Sequence, residues 1–232
     1  MTELKILSGK KAKELAIKYC PDIIQEWKSI KDFPTQFVID TPENMERNLP
    51  WLISQPELLF KVTENDEYYF IYYTVFHPFD WSDSGVPFMR KLDSHTFDTE
   101  SILLRISKHS GNNYIATRYH NEILFSEMNP APVVYIEAEG HGIIPECDYD
   151  ASDNINLAIY QAGCIIFTDI TQLKANQLKF IKDCLTEAGV DIPEEQGDII
   201  WLMSPFGTKH KRDDMFNHPD KLFQKALETG RI

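Results

Sequence analysis

The stretch "SHTFDTESILLRIS", Ser94 to Ser107, sets a histidine and two acids at the head of a strand-like run. Side chains alternate along an extended chain. Asp98, Glu100, Ile102, Leu104 and Ile106 therefore share one face, with Leu103 and Arg105 on the other. The first face is the more apolar and is expected to meet the core. Two carboxylates in line with core residues need a partner, because an unpaired buried carboxylate is costly. The choices are a basic side chain, a set of backbone N–H groups or a metal ion.

His95 joins the two acids if the chain turns over Ser94 to Phe97. Carboxylate oxygens with one imidazole suit Ca²⁺, Mg²⁺ or Mn²⁺, whereas two or more imidazoles favour Zn²⁺. Without an ion, Arg90, Lys91 or Arg118 would have to lie against Asp98 and Glu100. Further candidates stand where other strand-like runs stop: His77, Asp80 and Asp83 after "EYYFIYYTVF", His120 after "NYIATRY", and His141 after "VVYIEAEG". Antiparallel neighbours would bring a subset of these ends to one rim.

The elements that must position them are read from pattern. Residues 8 to 19 carry apolar positions at helical spacing, with Pro21 closing the segment. "QFVID" is a short strand candidate and "PENMERNLPWLI" a short helix. Glu67 to Phe76 is aromatic and β-branched, as suits a strand buried on both faces. "HPFDWSDSGVPF" reads as a loop. "SILLRIS", "NYIATRYH", "APVVYIEAEG", "CIIFTDI" and "DIIWLMS" read as strands. Thr171 is placed as the cap of a helix running towards Pro193. "NHPDKLFQKALETG" reads as a last helix with Leu222, Phe223, Ala226 and Leu227 inward. A run of strands without intervening helical pattern predicts an antiparallel sheet or sandwich rather than βαβ units. The expected fold is mostly β (α+β): an antiparallel β-sandwich with peripheral N- and C-terminal helices. It forms a single domain over 1–232, with its core at 65–145 and a mixed helical part at 170–232 packed on it.

Composition bounds the partners. The chain has 232 residues, 43% of them hydrophobic, and a net charge of −13. A globular core is within reach, and nucleic acid or an anionic membrane surface is a poor match for that charge. The first twenty residues hold no apolar signal core, and no transmembrane helix is read. A cytoplasmic location follows, or a secreted one if the chain is a piece that has lost its leader. Cys20, Cys147, Cys164 and Cys184 form no CxxC pair and are expected as reduced thiols, with Cys164 and Cys184 buried in apolar segments. "GTKHKRDD" is expected to be a solvated loop, and Trp81 could shape a ligand pocket. P-loop, GxGxxG and GxSxG elements are absent from the sequence.

The order of these pieces resembles the necrosis- and ethylene-inducing-peptide-like proteins and the related vacuolar-sorting-associated β-sandwich family. Their Gly-His-x-x-Asp-Trp-Glu motif is matched by Ser94-His95-Thr96-Phe97-Asp98-Thr99-Glu100, with Ser for the Gly and Thr for the Trp. His120, Pro132 to Tyr135 and Gly140-His141 to Pro145 follow in the family's order. The resemblance spans roughly residues 68–145. It implies a divalent cation on a sandwich rim, with His95, Asp98 and Glu100 as ligands, Asp80 as a further acid and His141 as a nearby polar partner. The expectation is thus a cation-binding protein that holds a small polar ligand, such as a sugar or lipid head group. Its rivals are a metal-dependent hydrolase with Glu100 or His141 as base, and a structural domain without an ion.

Overall fold

The computed structural model describes residues 4–38, 40–80, 95–119, 122–150, 155–173, 183 and 215–232. Among them two sheets and three helices make three layers. The strands are β1 (Lys5–Leu7), β2 (Asp22–Trp27), β3 (Glu57–Glu64), β4 (Tyr68–Asp80), β5 (His95–Ser107) and β6 (Tyr114–Tyr119). Then come β7 (Glu122–Glu127), β8 (Val133–Ile136), β9 (Ile143–Pro145), β10 (Asn156–Tyr160) and β11 (Ile166–Asp169). The helices are α1 (Gly9–Tyr19), α2 (Pro42–Leu52) and α3 (Pro219–Glu228).

The larger sheet runs β1-β3-β4-β5-β6-β7, with β11 also on β3. The smaller runs β10-β2-β8-β9. Most pairs are antiparallel, as the pattern predicts; β11 on β3 and β2 on β8 are parallel. These parallel partners come from distant parts of the chain, so no local pattern announces them.

Alternation explains the layering. In β4, Ile71, Tyr73 and Val75 turn to the smaller sheet, joined by Ile102, Leu104 and Ile106 of β5. They meet Ile23, Val134, Ile136 and Ile143 from that sheet, with Ala12 and Ala16 of α1 closing one side. The other face of the larger sheet, with Phe70, Tyr72, Phe76 and Leu103, packs on Met45 and Leu49 of α2 and Leu222 and Phe223 of α3. Both faces of β4 and β5 are therefore buried, which is why their text is almost continuously apolar. Tyr73 fixes α1 by donating its hydroxyl to the Ala16 carbonyl at 2.7 Å.

Several local expectations change. His77 to Asp80, read as loop, continues β4. A proline is tolerated there, and the register runs on through His77–Asp98 and Phe79–Thr96 to Asp80–His95. The backbone from His95 onward is strand rather than turn. "QFV" forms no strand, while β1, β2, β3, β7, β9 and β10 were not read from pattern. Asp169 caps the short 3-10 turn Ile170–Gln172, accepting from the Thr171 amide at 3.0 Å. In α3, Leu222, Phe223 and Ala226 are buried but Leu227 is exposed. Cys164 lies in a 3-10 turn, not a core strand, and is exposed together with Cys147. The helix read towards Pro193, "DIIWLMS", "GTKHKRDD", Trp81 and Cys184 lie outside the described residues. No described helix is long and apolar enough to cross a membrane.

Candidate metal centre

The row of residues between the sheets runs Ile71/Leu104, Tyr73/Ile102, Val75/Glu100, His77/Asp98 as cross-strand pairs. The alternation that fills the core thus drives polar groups into the same layer at its end. His77 is fully buried, and Asp98 and Glu100 are nearly so.

The smaller sheet supplies their partners. Gln25 on β2 donates its amide to the carbonyls of Glu26 at 2.9 Å and Glu137 at 3.2 Å. That leaves its oxygen as acceptor, 3.1 Å from His77 Nε2. The His77 Nε2 atom must carry the proton, so Nδ1 keeps its lone pair. This buried Nδ1 has no hydrogen-bond partner. Burial and the neighbouring His141 push the His77 pKa well below its ordinary value, so the ring is neutral.

His141 sits in the loop between β8 and β9 with φ +52°, after Glu139 at φ +72°. Two left-handed residues within three, Glu139 and His141, swing its ring inward. Asp32 holds that loop: its Oδ1 accepts from the Glu139 amide at 2.8 Å, while its Oδ2 accepts from Lys28 and Ser29 amides at 2.8 Å. The local reason is a capping box, in which Ser29 and Asp32 close the 3-10 turn Ile30–Asp32. His141 Nδ1 lies 3.1 Å from Asp98 Oδ2, and its Nε2 lies 3.7 Å from Asp32 Oδ1. The second distance is an ion-pair contact, too long for a hydrogen bond. Burial alone lowers the His141 pKa, but Asp32 and Asp98 outweigh it and raise it to about 9. The carboxyl of Asp32 is opposed by burial yet held below its usual value by its contacts with His141 and three amides.

His77, Asp98 and His141 each place one potential ligand atom within 4.8 Å of the others. The two imidazoles stack, with centroids 3.9 Å apart and planes at 4°. Of the residues singled out in sequence, Asp98 and His141 thus come together, and His77 joins them. Glu100, expected as a ligand, goes elsewhere: its Oε2 lies 3.8 Å from Arg118 Nε, one of the three basic side chains anticipated for the case without an ion. The backbones of Asp80 and His95 pair directly, but their side chains, like His120 and Asp83, lie outside the described residues. Asp32 and Gln25 escaped sequence reasoning. The Ser29-x-x-Asp32 box was visible as a turn signal, but nothing local shows that Asp32 also reaches His141.

The donor set fits a divalent cation. Two imidazoles and a carboxylate converge, a buried lone pair on His77 has no donor, and Gln25 fixes that ring's tautomer as a carbonyl oxygen does for a metal-bound histidine. With two imidazoles the set suits Zn²⁺ or Mn²⁺ better than Ca²⁺ or Mg²⁺. Without an ion, His141 between the two carboxylates is an imidazolium and offers no base. The class defined so far is a two-sheet β protein with a buried His–Asp cluster between its layers. Comparison with known proteins adds no narrower name: no family model, no curated protein and no solved structure matches the chain.

Proposed function

We propose that this chain is a divalent-cation-binding protein whose ion is held by His77, Asp98 and His141, with Asp32 behind His141. The observation that carries it is the convergence of three buried ligand atoms, one each from His77, Asp98 and His141, within 4.8 Å of one another; His77 also has a buried Nδ1 without a hydrogen-bond partner. The ion would join β4 and β5 of the larger sheet to the β8–β9 loop of the smaller one. A polar ligand would reach it from the side of Asp98, whose side chain is 11% exposed where that of His141 is fully enclosed.

A second reading has one observation in its favour. Imidazole lone pairs lie in the ring plane, and two rings at 4° and 3.9 Å hold theirs in separate, parallel planes. An ion about 2.1 Å from both nitrogens requires one ring to tilt and His141 to give up its proton. In the alternative, the cluster is an ion-free clamp in which protonated His141 bridges Asp32 and Asp98.

Chelator-treated protein titrated with Zn²⁺, Mn²⁺, Ca²⁺ and Mg²⁺ decides between them. The cation reading expects one equivalent of Zn²⁺ or Mn²⁺ by calorimetry. It also expects a melting temperature raised by about 5–10 °C at a hundredfold excess over Kd. Asp98→Ala and His77→Ala should each abolish both. If none of the four ions binds or shifts the melting of the folded wild type, the cation reading fails and the clamp remains.

A further inference from the structure

A cavity of about 800 Å³ opens between β7 and α3, sharing no residue with the His–Asp cluster. One wall is four consecutive residues of β7: Glu122, Ile123, Leu124 and Phe125. Among the described residues β7 ends the larger sheet and pairs with β6 alone. Beyond that ladder, the backbone from Glu122 to Phe125 makes no hydrogen bond among the described residues. An edge of this kind is a template for a further strand.

The other wall is one face of α3, carrying Lys221, Leu222, Lys225, Ala226 and Thr229, with Arg231 just beyond. Asp220 and Glu228, the acids of α3, do not line the cavity. Lys221, Lys225 and Arg231 make no ion pair among the described residues. Glu122 and Asp148 contribute carboxylates from outside the helix wall. In a chain of net charge −13, three cations against two carboxylates leave this lining positive by one charge, which favours an anionic partner.

Dimensions choose the form of that partner. The strand wall spans about 10 Å between its end Cα atoms, and the helix wall from Lys221 to Thr229 about 12 Å. Lys221 and Lys225 are about 6 Å apart along the axis, close to the roughly 6.6 Å between alternate side chains of an extended chain. A small free anion uses neither the strand edge nor this spacing. We propose that the groove binds an extended acidic peptide segment as an added strand on β7, acids at alternate positions meeting Lys221 and Lys225. Its intervening side chains turn to the opposite face of the sheet, beside Leu124.

The test uses a fluorescein-labelled acetyl-Glu-Val-Glu-Val-Glu-Val-amide and the full chain, with chelator present so that no metal contributes. Anisotropy should saturate with a Kd on the order of 10–100 μM. Lys221→Glu/Lys225→Glu should weaken binding at least tenfold. These side chains are exposed, and a far-ultraviolet spectrum checks that the variant is folded. The same peptide N-methylated at alternate amides, which leaves the protein untouched, should also bind at least tenfold more weakly. A Lys-Val counterpart should not bind. Three outcomes overturn the proposal: no saturable binding up to 1 mM peptide, binding indifferent to the charge reversal, or an N-methylated peptide that binds equally well. The last would mean attraction by charge without strand pairing.

Discussion

His77 and His141 lie face to face with ring centroids 3.9 Å apart, yet they are held in opposite protonation states. Burial keeps His77 neutral, its Nε2 hydrogen directed to Gln25. Asp98 and Asp32 keep His141 protonated, with its pKa near 9. A neutral ring stacked on a charged one avoids the repulsion that two imidazolium ions would suffer, and the arrangement rests on each ring's separate partners.

Removing one of those partners should therefore be costly. Asp98→Asn leaves the buried His141 with Asp32 alone at 3.7 Å. Breaking one side of a buried ion pair typically costs about 3–5 kcal/mol. A urea titration in chelator should show the midpoint falling by that equivalent with the slope unchanged. A loss under about 1 kcal/mol would show that the contact is weak and exposed in solution.

Gln25 sets the tautomer of His77, and this is visible by NMR. Nitrogen-15 spectra of the wild type should show His77 as the Nε2–H form, with Nδ1 unprotonated across pH 5 to 8. Gln25→Leu removes the acceptor from Nε2–H and the donor from the Glu26 and Glu137 carbonyls. It should destabilise the fold by about 1–3 kcal/mol. An Nδ1–H tautomer in the wild type would contradict the hydrogen-bond network and remove the free lone pair.

Gly142 follows His141 in a confined space. A Cβ there would meet Tyr119 Cδ2 at 2.8 Å and Glu137 Oε2 at 3.1 Å. Gly142→Ala should cost about 1–3 kcal/mol by overpacking, and less in a Tyr119→Ala background. Equal costs in both backgrounds would mean that Tyr119 is not the obstacle.

Lys61 gives a pH dependence with a defined sign. Burial lowers its pKa from the ordinary 10.5 to about 8, while its Nζ donates to the Phe216 carbonyl at 2.9 Å. Between those two values the unfolded chain binds the more protons, so stability rises as pH increases from about 8 to 10.5. Below pH 8 both states are protonated and this contribution is flat at its least favourable level. Lys61→Met should remove the rise, measured by urea midpoints across that window.

Much of the fold was legible because it obeys alternation. Glu67 to Phe76 and Asp98 to Ile106 announced strands, and parity alone put Asp98 and Glu100 on the inner face. The need for partners was legible too: Arg118 was one of three basic side chains named against Asp98 and Glu100 for a domain without an ion. What sequence could not supply was pairing across layers. Gln25 lies 52 residues from His77, and Asp32 lies 107 from Glu139. Both sit in segments whose local signals, a short strand and a capped turn, describe only their own backbones. The parity that revealed the acids also explains why "HPFD" was misjudged. Proline and polar residues signal a loop, but here they continue the strand to the end of the core layer.

The strand order of the smaller sheet bears on how the molecule assembles. Its members come from residues 22–27, 133–136, 143–145 and 156–160, so β2 gains neither neighbour until more than a hundred further residues have been made. The β4–β5 pair, by contrast, needs only its own stretch of chain. Closing loops of that length carries an entropic penalty before any contact is gained, and such topologies fold slowly. His77 and Asp98 are therefore expected to come together before Gln25, Asp32 and His141 join them. Formation of the cluster marks the moment when the second layer docks, which makes its histidine signals a natural clock for the last step of folding.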